Sequence, residues 1–244
     1  MSKKKQKKMS GPSPIVLWIF VILLVVLLFF LLNSSLFNVS SITVKGAERF
    51  SQQDIINVSG ITYDTNIFRV DEQKAKENIE QTPYVEVTDI KRTFPAGVEI
   101  IVRERTPQAQ IATVNGYYII DEMCIALGLN QAKDESIITV TGLPIAEPVF
   151  GKEITSTDES KVNALSRVLE ALKKYSLDKD TQSVDITDQN SVSIVYCGVK
   201  VKLGDAVTSA DKLRVLESTF NAVKDKITDG KCLNMETEGA YYVG

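Results

Sequence analysis

Apolar residues form one unbroken run near the start of the chain and recur in short periodic groups along the rest of it. The run covers residues 15–32, is 18 residues long and contains no charged residue. A helix that rises about 1.5 Å per residue would span about 27 Å over this length, close to the roughly 30 Å of bilayer hydrocarbon. The pattern therefore predicts a single transmembrane helix.

A cleaved signal peptide and a buried core helix both fit this run less well. A signal peptide has an apolar core of about 7 to 15 residues followed by small residues at the cleavage site. This run is longer, and the stretch Asn33-Ser34-Ser35-Leu36-Phe37 that follows it is a poor cleavage site. A buried core helix of this length would contain polar residues or a cap. We therefore expect a permanent membrane anchor.

The charges that flank the run predict its orientation. Five lysines lie within residues 1–14, whereas residues 33–41 contain no basic residue. The positive-inside rule then predicts a basic cytoplasmic tail at residues 1–14 and places the remainder of the chain outside the cytoplasm. The net charge of the whole chain is −3, so residues 33–244 carry −8. This acidic exterior argues against nucleic acid or anionic lipid as its ligand.

The segment after the anchor begins with a β-rich stretch, residues 37–44, that stops at Gly46. Ser51 and Asp54 then have the spacing of a capping box, and the short helix that they open ends at Gly60. A second, more polar helix is predicted over residues 71–81, because Ala75 and Ile79 are spaced to share one face.

A hairpin completes this segment. Pro83 breaks the second helix, and residues 84–94 read as a strand whose apolar phase shifts near Thr88 and Asp89, as at a bulge. Residues 95–97 turn the chain, and Val98, Ile100 and Val102 alternate with polar residues in the return strand. The predicted order is β-α-α-β-β.

These residues resemble a known domain. The matching features are the stretch from Phe37 to Gly46, Asn66-Ile67-Phe68, Pro83-Tyr84-Val85, Lys91-Arg92-Thr93-Phe94-Pro95, and Val102-Arg103-Glu104-Arg105 with Pro107. In order and spacing they resemble the POTRA domain of the FtsQ/DivIB bacterial cell-division family, which implies a POTRA domain over residues 37–107. The basic tail, the single anchor and the close junction between anchor and domain fit the same family.

The distal segment, residues 108–244, is predicted to be a mixed β-sheet domain. Residues 109–114 and 117–121 flank Asn115-Gly116, a strong hairpin signal, and a further strand is expected at 137–140. Ser156 with Glu159 is predicted to cap an amphipathic helix. Its apolar residues recur every three or four positions: Val162, Leu165, Leu169, Leu172 and Tyr175.

Three more strands, at 184–186, 192–195 and 199–203, precede a second amphipathic helix, and Cys197-Gly198 turns the last pair. Thr208 with Asp211 is predicted to open this helix. Its apolar stripe consists of Leu213, Leu216, Phe220, Val223 and Ile227. Residues 232–235 and 240–243 are predicted to pair as terminal strands. The order resembles the β domain that follows POTRA in FtsQ/DivIB, so the expected fold class is α+β.

The residue types present favour a protein without catalytic chemistry. The chain has no histidine, which excludes Ser-His-Asp and Cys-His nucleophiles and histidine-bound zinc. No phosphate-binding glycine loop or EF-hand pattern is found. The carboxylates Asp121-Glu122, Asp134-Glu135 and Asp185 with Asp188 are expected on the solvated surface. We therefore expect no enzyme, no catalytic or metal site, no cofactor and no small-molecule substrate.

The three cysteines, Cys124, Cys197 and Cys232, are far apart and odd in number, so no disulfide framework is expected. They are expected to be buried as small apolar residues. One disulfide between two of them is the alternative that the sequence leaves undecided.

The end of the chain carries the candidate binding site, Ala240, Tyr241, Tyr242 and Val243. If this strand lies at a sheet edge, one of the two tyrosines faces outward beside unpaired backbone groups, and a partner could add a strand there. A tyrosine that completes the core fits the sequence equally well. The family resemblance favours the first, because it implies that late strands of the β domain receive FtsB/DivIC-like partners, together with FtsL-like single-pass proteins.

The sequence thus predicts a non-enzymatic, single-pass membrane protein, and the family resemblance implies a scaffold of the bacterial divisome, located in the cell membrane at the division septum. The alternative is a membrane-anchored sensor of the cell envelope or an enzyme that uses carboxylates, which a deep acidic pocket with raised pKa values would favour. A POTRA chaperone of outer-membrane assembly would contain tandem repeats and a barrel, and the sequence contains neither.

Overall fold

The computed structural model describes residues 14–227, 231–237 and 242–243. The chain forms two compact units. The first unit consists of the chain up to Lys76 together with Thr88–Ile101. The second contains Glu77–Val87 and everything from Val102 onward.

The predicted anchor is helix α1, Pro14–Leu32. An 18-residue window within this 19-residue helix has a mean hydropathy of 3.6, and none of the helix side chains is buried. Among the described residues it is the one helix long and apolar enough to cross a membrane.

The elements that follow confirm the predicted β-α-α-β-β order. They are β1 (Ser41–Lys45), α2 (Gln52–Ser59), α3 (Glu72–Ile79), β2 (Val85–Thr93) and β3 (Gly97–Glu104). Strand β3 lies between the other two, and β1 runs parallel to it with Ser41 opposite Gly97. This arrangement contains the hairpin and the parallel first strand in one three-stranded sheet.

Local sequence signals explain these elements. Ser51 accepts a hydrogen bond from the Gln53 amide at the start of α2, and Gly60 ends the helix with a φ of 73°, a left-handed conformation that glycine adopts without strain. Ala75 and Ile79 are both 1% exposed, as their spacing predicted. In β2 the buried positions change phase after Val87, which confirms the predicted shift.

The second unit contains a nine-stranded mixed sheet. Its strands are β4 (Ala109–Thr113), β5 (Gly116–Ile120), β6 (Ala126–Asn130), β7 (Ile138–Thr141), β8 (Thr181–Asp185), β9 (Val192–Tyr196), β10 (Val199–Gly204), β11 (Leu233–Asn234) and β12 (Tyr242–Val243). Their order is β12-β11-β10-β9-β8-β7-β4-β5-β6. Strand β6 was not predicted, because its short sequence contains a glycine and lacks a clear alternation.

Helices α4 (Glu159–Lys174) and α5 (Ala206–Val223) share one hydrophobic core with this sheet. The predicted stripes are correct in outline, since Leu165, Leu169, Leu213 and Leu216 are all buried. The structure therefore confirms the α+β fold class.

Both helix caps predicted in this unit are wrong. Helix α4 has Asp158 at its N-cap, while the Ser156 hydroxyl donates to the Pro144 carbonyl. Helix α5 begins at Ala206, where the Asp205 side chain accepts from the Val207 amide. Aspartates nearer to the helix starts therefore occupy the cap positions.

All three cysteines are free. Cys124 is buried as predicted, but Cys197 is exposed, so the prediction is wrong for that residue. Cys197 and Gly198 both have a positive φ, because they form the tight turn between β9 and β10.

Candidate partner-binding edge

The C-terminal strand β12 lies at one edge of the nine-stranded sheet. It pairs antiparallel with β11, with Tyr242 opposite Asn234 and Val243 opposite Leu233. The predicted pairing of the terminal strands is therefore confirmed. Of the four candidate binding residues, Tyr242 and Val243 form β12, and Ala240 and Tyr241 lie outside the described residues.

Strand β11 connects this edge to the rest of the sheet. It runs parallel to β10, with Val201 opposite Leu233. The Met235 amide donates to the Lys202 carbonyl at 2.8 Å, and both Leu233 and Met235 are fully buried. A two-residue strand is thus held by the core beneath it and gives β12 a fixed neighbour.

A buried lysine also holds this edge. Lys212 of α5 is only 4% exposed, and its Nζ donates to the Leu203 carbonyl at 2.6 Å and to the Glu236 carbonyl at 2.8 Å. These bonds join α5, the end of β10 and the segment that leads to β12. Hydrogen bonds to carbonyl oxygens offset part of the cost of removing the ammonium from water.

Sequence reasoning did not identify Lys212, although a signal was present. Lys212 lies four residues before Leu216 and three after Ser209, which are both buried, so it occupies the apolar face of α5. A charged residue at such a position is a candidate for a specific internal bond.

The opposite edge of the sheet, β6, is partly covered. The Ala126 amide donates to the Lys152 carbonyl at 2.9 Å, and the Gly151 amide donates to the Ala126 carbonyl at 2.8 Å. Backbone groups at the start of β6 are therefore already bonded to a neighbouring segment. In the described part of the chain, β12 has a strand neighbour on one side only.

The predicted surface position of Asp121 is wrong. Asp121 is 1% exposed, and its Oδ1 accepts from the Met123 and Ile125 amides at 2.9 and 2.8 Å. The Nε of Arg105 lies 3.3 Å from its Oδ2. Burial raises the pKa of Asp121, although the amides and Arg105 oppose that shift. The side chain holds the turn after β5.

Glu122 faces a shallow cleft of about 380 Å³. Its Oε2 lies 2.9 Å from Lys173 Nζ, and Arg103 is 3.8 Å from its other oxygen. Burial opposes ionisation, but the Lys173 and Arg103 cations prevail and hold the pKa of Glu122 below its usual value. This is an ion-pair cluster, and Asp121, whose pKa is raised, does not line the cleft.

Two of the remaining candidate carboxylates accept hydrogen bonds from nearby hydroxyl groups. Asp134 accepts from the Ser136 side chain and amide, which lower its pKa. Burial alone would raise the pKa of Asp185, but hydrogen bonds from Thr187 outweigh this effect, so the pKa is lowered. Among the described residues, no group of three histidine, cysteine, aspartate or glutamate side chains could hold a metal ion.

Comparisons with known proteins identify the first domain. Residues 37–105 match the family described as "POTRA domain, FtsQ-type". Cell division protein DivIB of Clostridium botulinum, strain Hall, is 29% identical over 223 residues, which is 91% of this chain and 84% of that protein. Cell division protein FtsQ of Syntrophotalea carbinolica is 26% identical over 199 residues, 81% of this chain and 70% of that protein.

A solved structure of the major extracytoplasmic domain of DivIB from Geobacillus stearothermophilus aligns with 51% of this chain and 98% of that one, with 11% identity and a TM-score of 0.33. The sequence matches confirm the resemblance to the FtsQ/DivIB family.

Proposed function

We propose that this chain, a relative of the FtsQ and DivIB cell-division proteins, is a membrane-anchored, non-enzymatic scaffold of the bacterial divisome. Similarity to proteins named for cell division along 91% of the chain supports a role in division. The apolar helix α1 and the five lysines before it support a cytoplasmic N-terminus and extracytoplasmic domains. The POTRA domain is proposed at residues 37–107 and the β domain at 108–244.

We propose that residues 240–243 bind the partners by strand addition. The position of β12 at a sheet edge carries this proposal, because an edge strand can donate and accept backbone hydrogen bonds from an added strand. FtsB/DivIC-like and FtsL-like proteins are the partners that the family resemblance implies. Since these proteins are themselves anchored, a shared membrane raises their effective concentration at this edge.

The alternative, a carboxylate enzyme or envelope sensor, has less support. It needs an acidic pocket with raised pKa values, whereas Glu122 in the described cleft is paired with cations and has a lowered pKa. Asp121 does have a raised pKa, but its carboxylate is bonded to backbone amides of its own turn.

Deletion of residues 238–244 from the full chain tests the binding edge. We expect affinity for a membrane-reconstituted FtsB/DivIC-like and FtsL-like pair to fall about 10-fold or more, because the added strand loses its neighbour. Val114→Asp is the matched control, since Val114 is a fully exposed apolar residue in a hairpin of the same sheet. Unchanged affinity after the deletion would refute the edge site.

A fluorescent fusion of the full chain in dividing cells tests the division role itself. A band at midcell is the expected result. Uniform signal along the membrane, with no band, would contradict a role in the divisome even if the edge binds a partner in vitro.

A further inference from the structure

Four apolar side chains, Leu36, Phe37, Phe68 and Phe94, mark a surface of the first unit that we call the aromatic patch. The rings of Phe37 and Phe68 have centroids 5.3 Å apart, and those of Phe68 and Phe94 lie 5.6 Å apart. Leu36 is 57% exposed, Phe68 is 44% exposed and Phe94 is 63% exposed. The three rings thus form a continuous group contributed by three separate stretches of chain, and Leu36 precedes Phe37 in sequence.

The patch lies beside the end of α1. A short 3₁₀ turn, Ser35–Phe37, begins three residues after Leu32 and carries two patch residues. The Asn66 side chain donates to the Leu32 carbonyl at 2.8 Å, and its oxygen accepts from the Phe68 amide at 3.0 Å. One amide group therefore fixes Phe68 to the last residue of the apolar helix.

Two further bonds fix the same arrangement. Arg69 donates from Nη2 to the Asn33 side chain at 3.1 Å, immediately after α1. The Ser40 amide donates to the Ala96 carbonyl at 2.8 Å, which holds the β2–β3 turn that carries Phe94. The exposed rings are consequently held at the level where α1 ends.

We propose that the aromatic patch lies in the interfacial layer of the outer leaflet and seats the first unit on the membrane. The proposal rests on the proposed anchor role of α1. A helix of 19 residues is about 28 Å long, so Leu32 would lie where the hydrocarbon ends and the headgroup layer begins. Phe and Leu are among the apolar residues that interfacial protein segments bury at the boundary between headgroups and acyl chains.

The contact is apolar, so it does not conflict with the acidic charge of residues 33–244. The rings leave water for the boundary between headgroups and acyl chains, which is favourable without any attraction to anionic lipid. The patch would restrict rotation of the first unit about the axis of α1, because it adds a second contact with the membrane.

Tryptophan quenching by brominated lipid tests the proposal in the full chain, reconstituted in vesicles of phosphatidylcholine with some phosphatidylglycerol. Trp18 in α1 is the only tryptophan, so Trp18→Phe removes the background. Phe68→Trp or Phe94→Trp is then added as a reporter. Lys45→Trp is the matched control, because Lys45 ends β1 four residues beyond Ser41, which corresponds to about 13 Å along the strand.

We expect bromines placed shallowly in the acyl chains to reduce the fluorescence of Phe68→Trp about twofold and to leave Lys45→Trp nearly unchanged. Equal quenching of the patch and control reporters would overturn the proposal. Circular dichroism identifies a variant that has not folded, in which case Phe94→Trp decides the outcome.

The unmodified chain separates this proposal from the anchor role. Trp18 should be quenched by bromines in the acyl chains, because it lies within α1. If Trp18 is not quenched, the anchor role fails and the patch proposal fails with it. If Trp18 is quenched and both patch reporters behave like the control, the patch alone is refuted.

Discussion

The Lys212 ammonium and the Glu236 carbonyl oxygen lie 2.8 Å apart and join helix α5 to the segment that leads to the last strand. The same ammonium donates to the Leu203 carbonyl at the end of β10. A side chain in the core thus holds the segment that precedes β12, and we expect binding at that edge to depend on this buried residue.

Replacing Lys212 with methionine keeps much of the apolar stem but removes both hydrogen bonds. Leaving the buried Leu203 carbonyl without this partner costs about 1 to 3 kcal/mol, so the free energy of unfolding should fall by about that amount. We also expect weaker binding of the partner pair at a temperature where the variant is folded. Denaturant unfolding and binding titrations measure the two effects.

Lys224→Met is the control, because Lys224 is an exposed lysine just after α5. Normal partner affinity in a destabilised, folded Lys212→Met variant would show that the buried lysine supports the fold without positioning the edge.

The pH dependence of stability should distinguish Asp121 from Asp134. Burial raises the pKa of Asp121, so the native state binds more protons there than the unfolded state, and this residue's contribution to stability falls as pH rises through the shifted range. Relative to Asp121→Asn, the unmodified chain should therefore lose stability as pH rises from below 3.8 toward the raised pKa.

Asp134→Asn is the comparison with the opposite sign. Hydrogen bonds from Ser136 lower the pKa of Asp134, so its contribution is present above pH 3.8 and is lost as pH falls through the lowered value. Unfolding in urea between about pH 2 and 7 measures both, since carboxylates titrate in this interval. For each residue, the stability of the unmodified chain minus that of the variant is followed against pH. If this difference changes in the same direction for Asp121 and Asp134, the raised pKa of Asp121 is contradicted.

Two glycines with the same backbone conformation should respond differently to alanine. Gly142 and Gly198 have φ values of 80° and 79°, so each substitution carries the strain of about 1 to 2 kcal/mol for a left-handed residue. At Gly142 the new Cβ would clash with the backbone of Thr187, whereas at Gly198 nothing lies within 4 Å.

We therefore expect Gly142→Ala to lower the free energy of unfolding by about 1 to 3 kcal/mol more than Gly198→Ala, because the backbone of Thr187 must move. Denaturant titration of both variants measures the difference. Equal losses would mean that the segment containing Thr187 moves aside at little cost.

The thiols should react unequally. Cys124 is fully buried, and burial raises the pKa of its thiol, so a thiol reagent should reach it only after unfolding. Cys197 is exposed and Cys232 is partly exposed, so both should react in the native protein. Mass spectrometry after brief alkylation should find two modified sites without denaturant and three with it. Alkylation of Cys124 in the native chain would contradict its burial.

The sequence by itself determined the features that depend only on residues close together along the chain. The apolar run of α1, the Ser51 and Gly60 caps of α2, and the Asn115-Gly116 hairpin all follow from side-chain hydrophobicity or backbone preference within a few positions. The β-α-α-β-β order could be predicted for the same reason, because each period indicates which face of an element is buried.

Only the tertiary structure decided which elements meet. Periodicity does not specify that β1 lies beside β3, that β6 forms an edge, or that β11 runs parallel to β10. Asp121 has the sequence context of a surface turn, yet it is buried, and the fold brings Arg105 to within 3.3 Å of it. Lys212 likewise reaches its carbonyls because α5 packs over the sheet end. Contacts between residues distant in sequence set these positions, and a local pattern of apolar and polar residues does not contain them.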